Sequence, residues 1–457
     1  MQNITSYIYS FVYKHVTSGH IRTARAKKNI LVMFILKGIS ILCSFFMVPI
    51  TIGYVSSYEY GIWLTISSLI AWLSFFDIGI GNGLRNKFIE CVEKRDFLKA
   101  RIYVSTAYAF IAIIICIVWV LATGASFFID WVTLLNAKPS LESELLYTII
   151  IAITNFSVLF VLGLNRTLLN AIQKPALASI FDTLTQILFC LVLLILTKST
   201  TGNLIYLALS MGSTSIFILI ISNIWTFKHL LKQYTPSIKF VKFSYAKEIM
   251  SQGVMFFFLQ ILAIAFYQTN NLIITHYLGP DEVTVYNIAF KYLQILPMVF
   301  GIILAPFWSA FAEARVNEDY LWMKQARKRL MQSVLFLAIL GLLMVLGSPL
   351  IYRIWIKDVV AVPFIVTVLV FLYQVLNIWA SLWTQLLAGL GKMKLQVICS
   401  SICCLSYVPI ACTLCNILGL TGLLIASVGI PLICTSWFGV IQVDKLLNHS
   451  ATGIWAK

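Results

Sequence analysis

Charge is scarce in this chain. Asp, Glu, Lys and Arg make up 11% of its 457 residues and hydrophobic residues 60%, whereas a soluble domain carries roughly 25% charged residues to cover its surface. Water is therefore excluded as the main solvent, and the mean hydropathy of +0.92 agrees. Long polar segments are missing as well: no connection between apolar runs exceeds about twenty residues, so there is no loop large enough to hold a soluble catalytic constellation. A GxxxxGK[ST] phosphate loop and an HExxH helix are both absent, which removes the parts for ATP hydrolysis and for zinc chemistry. The ten cysteines lie mostly inside apolar runs, and the single CxxC pair, Cys412 and Cys415, has no second ligand pair nearby. They read as small apolar packing residues, and no metal or cofactor is expected. The first 29 residues carry Lys14, Arg22, Arg25, Lys27 and Lys28 without the apolar core and small-residue cleavage site of a signal peptide, so the first span is expected to stay as an anchor.

What is present in abundance is continuous apolar sequence. Runs such as 102–124 and 202–227 have the length of about twenty residues that crosses ~30 Å of hydrocarbon at 1.5 Å per residue. Only helices and closed barrels satisfy the backbone there, and continuous rather than alternating hydrophobicity selects helices. Polar punctuation predicts twelve spans, at 30–54, 61–83, 102–124, 145–165, 176–197, 203–227, 250–275, 283–311, 330–352, 360–387, 395–415 and 420–443. The fold class expected is an all-α polytopic membrane protein.

The basic residues orient it. With the N-terminus in the cytoplasm, 27 of the 33 Lys and Arg fall on the cytoplasmic side and 4 outside, with Lys37 and Lys291 inside spans. Short loops with this bias follow the positive-inside rule. The +16 net charge is thus topogenic and lipid-facing, and calls for no nucleic acid.

The sequence also repeats. Tyr54-Val55-Ser56-Ser57-Tyr58-Glu59 matches Tyr277-Leu278-Gly279-Pro280-Asp281-Glu282 at an offset of 223, which also carries Trp63 onto Tyr286, Glu90 onto Glu313, Asp96 onto Asp319 and Phe97 onto Tyr320. A further match at offset 218 sets 168–174 on 386–392. Two six-helix halves follow, and because six is even both begin on the same side, giving a parallel repeat about an axis along the membrane normal, a common transporter plan. The expected organisation is a basic segment 1–29, an N-lobe 30–227, a linker 228–249, a C-lobe 250–443 and a tail 444–457, with both termini cytoplasmic. The linker, with five lysines and Pro236, is expected to lie along the anionic leaflet with Phe240, Phe243 and Tyr245 toward lipid.

The stretch from Asp77 through Gly79, Gly81, Asn82, Gly83, Arg85 and Asn86 to Lys87, following Tyr60-Gly61-Ile62-Trp63, resembles the second-helix exit of Wzx-type flippases of the multidrug/oligosaccharidyl-lipid/polysaccharide exporter superfamily. Helix count, loop spacing, Pro306-Phe307-Trp308 and Glu313 extend the resemblance over nearly the whole chain. It implies a MATE-like fold of two lobes in a bacterial inner membrane, and an activity that turns undecaprenyl-diphosphate-linked O-antigen or related oligosaccharide from the cytoplasmic to the periplasmic leaflet, with H+ or Na+ as coupling ion. Expected partners are that lipid-linked glycan, membrane lipid, and a glycan polymerase and chain-length regulator of the same pathway. No bond is made or broken, so the chain is expected not to be an enzyme. A cation-coupled multidrug exporter shares the fold but wants an acidic or aromatic cavity, and a glycan polymerase or ligase wants long periplasmic loops.

Candidate residues follow from charge in the wrong solvent. Lys37 and Lys291 either attract phosphate from a cavity wall or snorkel to the interface. Asp77 and Asp182 either carry a coupling proton, as Glu313 does in the same reading, or serve structure: Asp77 as partner of Arg85 or Lys37, Asp182 as an interface acid. Asn82, Arg85 and Asn86 leave the second helix where Arg85 grips diphosphate or acts as a topogenic charge. Arg166, Lys174 and Lys392 stand at inner loops as a gate rim or as positive-inside charges. Gln268, Asn270 and Asn271 offer amides to sugar hydroxyls or to neighbouring helices. Trp308, like Trp379 and Trp383, stacks on a sugar ring or belongs to an aromatic belt.

Overall fold

Backbone groups surrounded by hydrocarbon must bond within their own segment, and the described residues form helices and turns with no strand. The computed structural model describes residues 21–77, 80–172, 174–251, 268–304, 318–357 and 359–456, together with 307, 311, 314 and 315. The first half contains α1 (Ile21–Val55), α2 (Ser57–Ala71), a tight turn Trp72–Asp77, α3 (Ile80–Glu93), α4 (Phe97–Ser126), α5 (Glu142–Leu162), α6 (Leu164–Ala171), α7 (Pro175–Ser199) and α8 (Leu204–Trp225). After the connection come α9 (Ala246–Ser251), α10 (268–278), α11 (Pro280–Leu293), α12 (Ile295–Leu304), α13 (Tyr320–Ile356), α14 (Phe364–Leu390), α15 (Lys394–Cys434) and α16 (Phe438–Leu447).

Among the described residues eight helices are long and apolar enough to cross a membrane, or nine when α11 and α12, bent by 40°, are taken as one span. The chain is thus an all-α multi-pass membrane protein. The differences from the expected spans have local causes. Span 61–83 divides where α2 passes into the tight turn Trp72–Asp77, and the expected 250–275 falls largely on 252–267, outside the described residues. The expected 395–415 and 420–443 run together, but Gly419 at φ 64°, ψ −147° breaks the helix between them, a conformation open to glycine because it lacks a Cβ.

The repeat is visible in the backbone. Ser56 and Gly279, one repeat apart, have φ of 93° and 95°, and Arg95 and Glu318 have 58° and 56°. Asp96 accepts from the Lys99 amide and Asp319 from the Trp322 amide, both at 3.0 Å, so paired carboxylates cap α4 and α13. The two broken spans break at the same repeat position, after Ala71 and at Gln294.

Within each half, polar side chains bridge helices that have no hydrophobic reason to prefer each other over lipid. Asn155 donates to the Ala208 carbonyl (3.0 Å), Asn165 to Ser222 (2.7 Å) and Trp119 to Thr154 (2.9 Å) in the first half. In the second, Tyr292 donates to the Met344 carbonyl (3.0 Å) and Gln396 to Thr384 (2.8 Å).

The halves meet where α2 and α11 begin, at the end opposite the basic loops. Gly61 of α2 lies so close to Pro280 that a built Cβ would stand 2.6 Å from its carbonyl carbon. The repeat-related pair is Thr284, which donates to the Ser57 carbonyl at 2.7 Å. Ser57 also donates to Asp281 (3.0 Å), and Asn271 of α10 donates to Ser68 (2.7 Å). A two-fold relation makes such contacts come in pairs.

The connection 226–245 departs from expectation. Its backbone bonds to α4, with the Ser237 amide on Ser105 (3.1 Å) and the Lys242 amide on Thr106 (3.0 Å). Phe240 lies against Arg101, whose guanidinium is 4.2 Å from the ring centre, and Tyr245 meets Tyr103 edge-on at 5.3 Å. Only Phe243 of the expected lipid-facing trio is exposed, with Ile238 beside it. The hydroxyls of α4 offer the linker amides partners that a lipid surface lacks.

Candidate functional site

A polar side chain on an apolar helix must find either a partner or water. On α1, Lys37, Ser40 and Ser44 recur at helical spacing, and on α7 Ser179, Asp182, Thr183 and Gln186 follow i, i+3, i+4, i+7, the spacing of one helix face. α1 and α7 pack side by side, with the Ser40 and Thr183 hydroxyls 3.2 Å apart, so the two stripes form one wall. Arg166 of α6 and Ser215 of α8 extend it, and Phe156 and Phe160 of α5 add aromatic surface. Lys291, Gln294, Met298 and Gly301, on α11, its bend and α12, form the facing wall from the other half. Between them lies a cavity of 1330 Å³, above the range of about 300–1,000 Å³ that drug-sized ligands fill.

The lining carries three cations and one acid. Arg166 and Asp182 form an ion pair with both side chains about half-exposed to the cavity. Lys37 is exposed and has no hydrogen-bond or ion-pair partner among the described residues. Lys291 is half-buried and donates to the Tyr60 hydroxyl of the opposite half at 3.4 Å. Two cations from two halves therefore face one space, neither paired with an anion among the described residues. In a region of low dielectric such charges attract an anion far more strongly than in water. Lys291 lies eleven residues into α11, about 16 Å from the sealed seam, and Arg166 stands toward the basic end. The cavity thus runs from the middle of the bundle toward the lysine- and arginine-rich end.

Of the residues singled out from sequence, Lys37, Arg166, Asp182 and Lys291 line this cavity. Arg85 and Asn86 are exposed on α3 and do not line it. Lys174 immediately precedes α7 and Lys392 follows the end of α14, both away from the lining. Asn270 is buried, donating to the Tyr286 hydroxyl at 3.2 Å and accepting from Tyr407. Asn271 joins Ser68 to Asn287, from which it accepts at 2.9 Å. Both amides are thus engaged between helices, and Gln268, half-buried on α10, does not reach the cavity lining. Trp379 and Trp383 pack on each other at 5.2 Å within the second half. Asp77 ends the tight turn after α2 and Asn82 lies on α3, but their side chains lie outside the described part, as do Trp308 and Glu313 altogether.

Sequence reasoning passed over Gln186, Gln294 and the serine and threonine stripes. The signal was available: polar residues at i, i+3, i+4, i+7 within a span that is otherwise apolar mark a face turned from lipid. Gln186 stands out because its Oε1 is buried with no hydrogen-bond partner among the described residues, at a cost of about 1–3 kcal/mol unless something meets it.

Comparison with known proteins agrees with this architecture. A Salmonella typhimurium protein named as a candidate O-antigen transporter is 24% identical over 356 residues, covering 74% of this chain and 77% of that protein. The solved lipid II flippase MurJ, in an inward closed conformation, superposes with a TM-score of 0.72 at 11% identity, over 93% of this chain and 94% of that one. An inward-facing multidrug resistance MATE family transporter of the MOP superfamily gives 0.68 at 12% identity, over 93% and 96%. At those identities the likeness establishes the fold, which is the two-lobed MATE-like one the resemblance implies. The family model described as polysaccharide biosynthesis protein matches residues 26–311, and with more than half of its length so matched the chain belongs to the polysaccharide biosynthesis protein family, the branch of exporters that the Asp77–Lys87 stretch resembles.

Proposed function

We propose that this protein carries a lipid-linked oligosaccharide, joined through diphosphate to undecaprenol, from the cytoplasmic to the periplasmic leaflet of a bacterial inner membrane by alternating access. The observation that carries this reading is the facing pair Lys37 and Lys291, one cation from each half, across a cavity that adjoins the basic end of the bundle. By the positive-inside rule that end faces the cytoplasm, so the cavity opens to the leaflet where the substrate is made and the α2–α11 seam closes the periplasmic side. A diphosphate bearing sugars cannot cross hydrocarbon alone, since each unpaired charge costs several kcal/mol or more. Two lysines without acidic partners among the described residues supply the counter-charge, while the polyprenyl tail stays in lipid beside the halves. The excess of cation over acid disfavours export of cationic drugs, and the chain acts as a transporter, not an enzyme.

An ion gradient supplies the driving force, since one charge moved through 100 mV is worth about 2.3 kcal/mol. Asp182 is the acid best placed to couple, because its protonation would release Arg166 toward the substrate; Asp77 and Glu313 are further candidates. The O-antigen relatives support a surface polysaccharide as the cargo, with the polymerase and chain-length regulator of that pathway as partners. The test uses purified protein in proteoliposomes with a fluorescent diphosphate-linked oligosaccharide lipid. Lys37→Ala and Lys291→Ala should each slow flipping by about tenfold, the effect of losing ~1.4 kcal/mol, and Arg85→Ala should slow it less. Unimpaired flipping by both lysine variants refutes the proposal.

A further inference from the structure

We infer that Gln186 and Gln294 form a sugar-reading pair in the cavity, hydrogen-bonding the hydroxyls of the glycan next to its diphosphate. The inference rests on the proposed flippase reading and names the part of the site that distinguishes a glycan from a bare lipid diphosphate. The lysines account for an anion, but a cavity of 1330 Å³ exceeds what drug-sized ligands occupy, about 300–1,000 Å³, so most of its lining faces something else.

That lining carries acceptors as well as cations. Three hydroxyls on the first-half wall bond carbonyls of their own helices: Thr183 donates to the Ser179 carbonyl (2.9 Å), Thr185 to Phe181 (2.9 Å) and Ser215 to Met211 (2.8 Å). What they keep is acceptor capacity. Gln186 adds a carbonyl oxygen that is buried and unmet among the described residues. Acceptors set beside the cations fit a ligand that carries donors as well as negative charge, and a glycan joined to diphosphate is such a ligand. From the opposite half Gln294 is exposed to the same space, at the bend between α11 and α12, one turn from Lys291. Its amide both donates and accepts. Phe156 and Phe160, with ring centres 5.3 Å apart, offer apolar surface to the C–H face of a sugar ring. Lys37 and Lys291 hold the diphosphate, and the glutamines, each on the same face as one of the charged groups, contact the sugars attached to it. A glycan held this way touches both halves at once.

The test compares two substrates in proteoliposomes: polyprenyl diphosphate carrying a fluorescent oligosaccharide, and sugar-free polyprenyl diphosphate followed by a phosphate-specific reagent. Gln186→Leu and Gln294→Ala should each slow the glycan-bearing lipid by about five- to tenfold and leave the sugar-free lipid within about twofold. Lys37→Ala should slow both. Gln294 is exposed, so its variant folds whatever becomes of Gln186→Leu. Equal losses on both lipids for Gln294→Ala, or no loss on either, overturn the pair. Wild-type protein that flips neither lipid instead overturns the flippase reading, and this inference with it.

Discussion

Replacing Gly61 by alanine should pry open the seam on which the halves close. A Cβ at that position would stand 2.6 Å from the carbonyl carbon and 3.1 Å from the Cα of Pro280, whereas carbon atoms pack best at about 3.5–4.0 Å. Both neighbours are helix backbone, so no side chain can rotate aside, and α2 and α11 must separate by roughly 1 Å. That movement lengthens the bond from Thr284 to the Ser57 carbonyl, now 2.7 Å, and the one from Ser57 to Asp281, now 3.0 Å, past the limit of a hydrogen bond. Overpacking alone costs typically 1–3 kcal/mol. Taking about 2 kcal/mol as the total bias, the ratio of sealed to open seam falls roughly thirtyfold.

Thr65, buried to 0% exposure beside Thr275 in this seam, reports the change. In a cysteine-free background, Thr65→Cys should label with a membrane-impermeant maleimide from the periplasmic side at least tenfold faster when Gly61→Ala is added. Gly53→Ala is the control, because no atom lies within 4 Å of the Cβ it would gain; it should leave labelling unchanged and slightly favour the helix. Equal labelling of Gly61→Ala and the parent refutes the seam as the periplasmic gate.

The linker should loosen when its anchor on α4 is cut. Arg101 donates to the Thr235 carbonyl at 3.0 Å and lies over Phe240, so Arg101→Ala should speed tryptic cleavage after Lys239 and Lys242 about fivefold through local opening; an unchanged rate means the linker is held elsewhere. The turn ends outside the spans should respond to pH. Burial raises the carboxyl of Glu59, with Glu144 adding to it against the Ser56 bond and Lys138, and burial with Asp281 raises Glu282. Acids whose folded pKa lies above the unfolded one contribute stability that is full below the ordinary glutamate value and is lost as pH rises through the raised value. Melting temperature should therefore climb as pH drops from neutral toward that value, and Glu59→Gln with Glu282→Gln should raise the neutral-pH melting point and flatten the profile. A profile as steep in the double variant as in the parent assigns the effect to other groups.

Solvent preference was legible from composition, and so was the repeat. Apolar length and the placement of 33 basic residues are properties of the chain itself, and a membrane reads them one segment at a time. The match between 54–59 and 277–282 returns in the structure as the shared positive φ of Ser56 and Gly279, because duplicated turns must solve the same steric problem. Lys37 and Lys291 announced themselves as charges within apolar runs.

Which of the polar residues share a space was decided by packing. Asn270 and Asn271 look as suitable for sugar as Gln186 does, yet Tyr407, Ser68 and Asn287 engage them and no described residue engages the buried Gln186 oxygen. Partners 137 and 203 residues away along the chain leave no local signature. Gly61 reads in sequence as part of a motif, and only the approach of Pro280 from the other half shows why a side chain is forbidden there. The sequence by itself determined the solvent, the helices and their two-fold repetition, since these depend on each segment's own composition and turns. The tertiary structure decided the cavity, the two lysines that face it and the sealed seam, since these depend on which faces of distant helices meet.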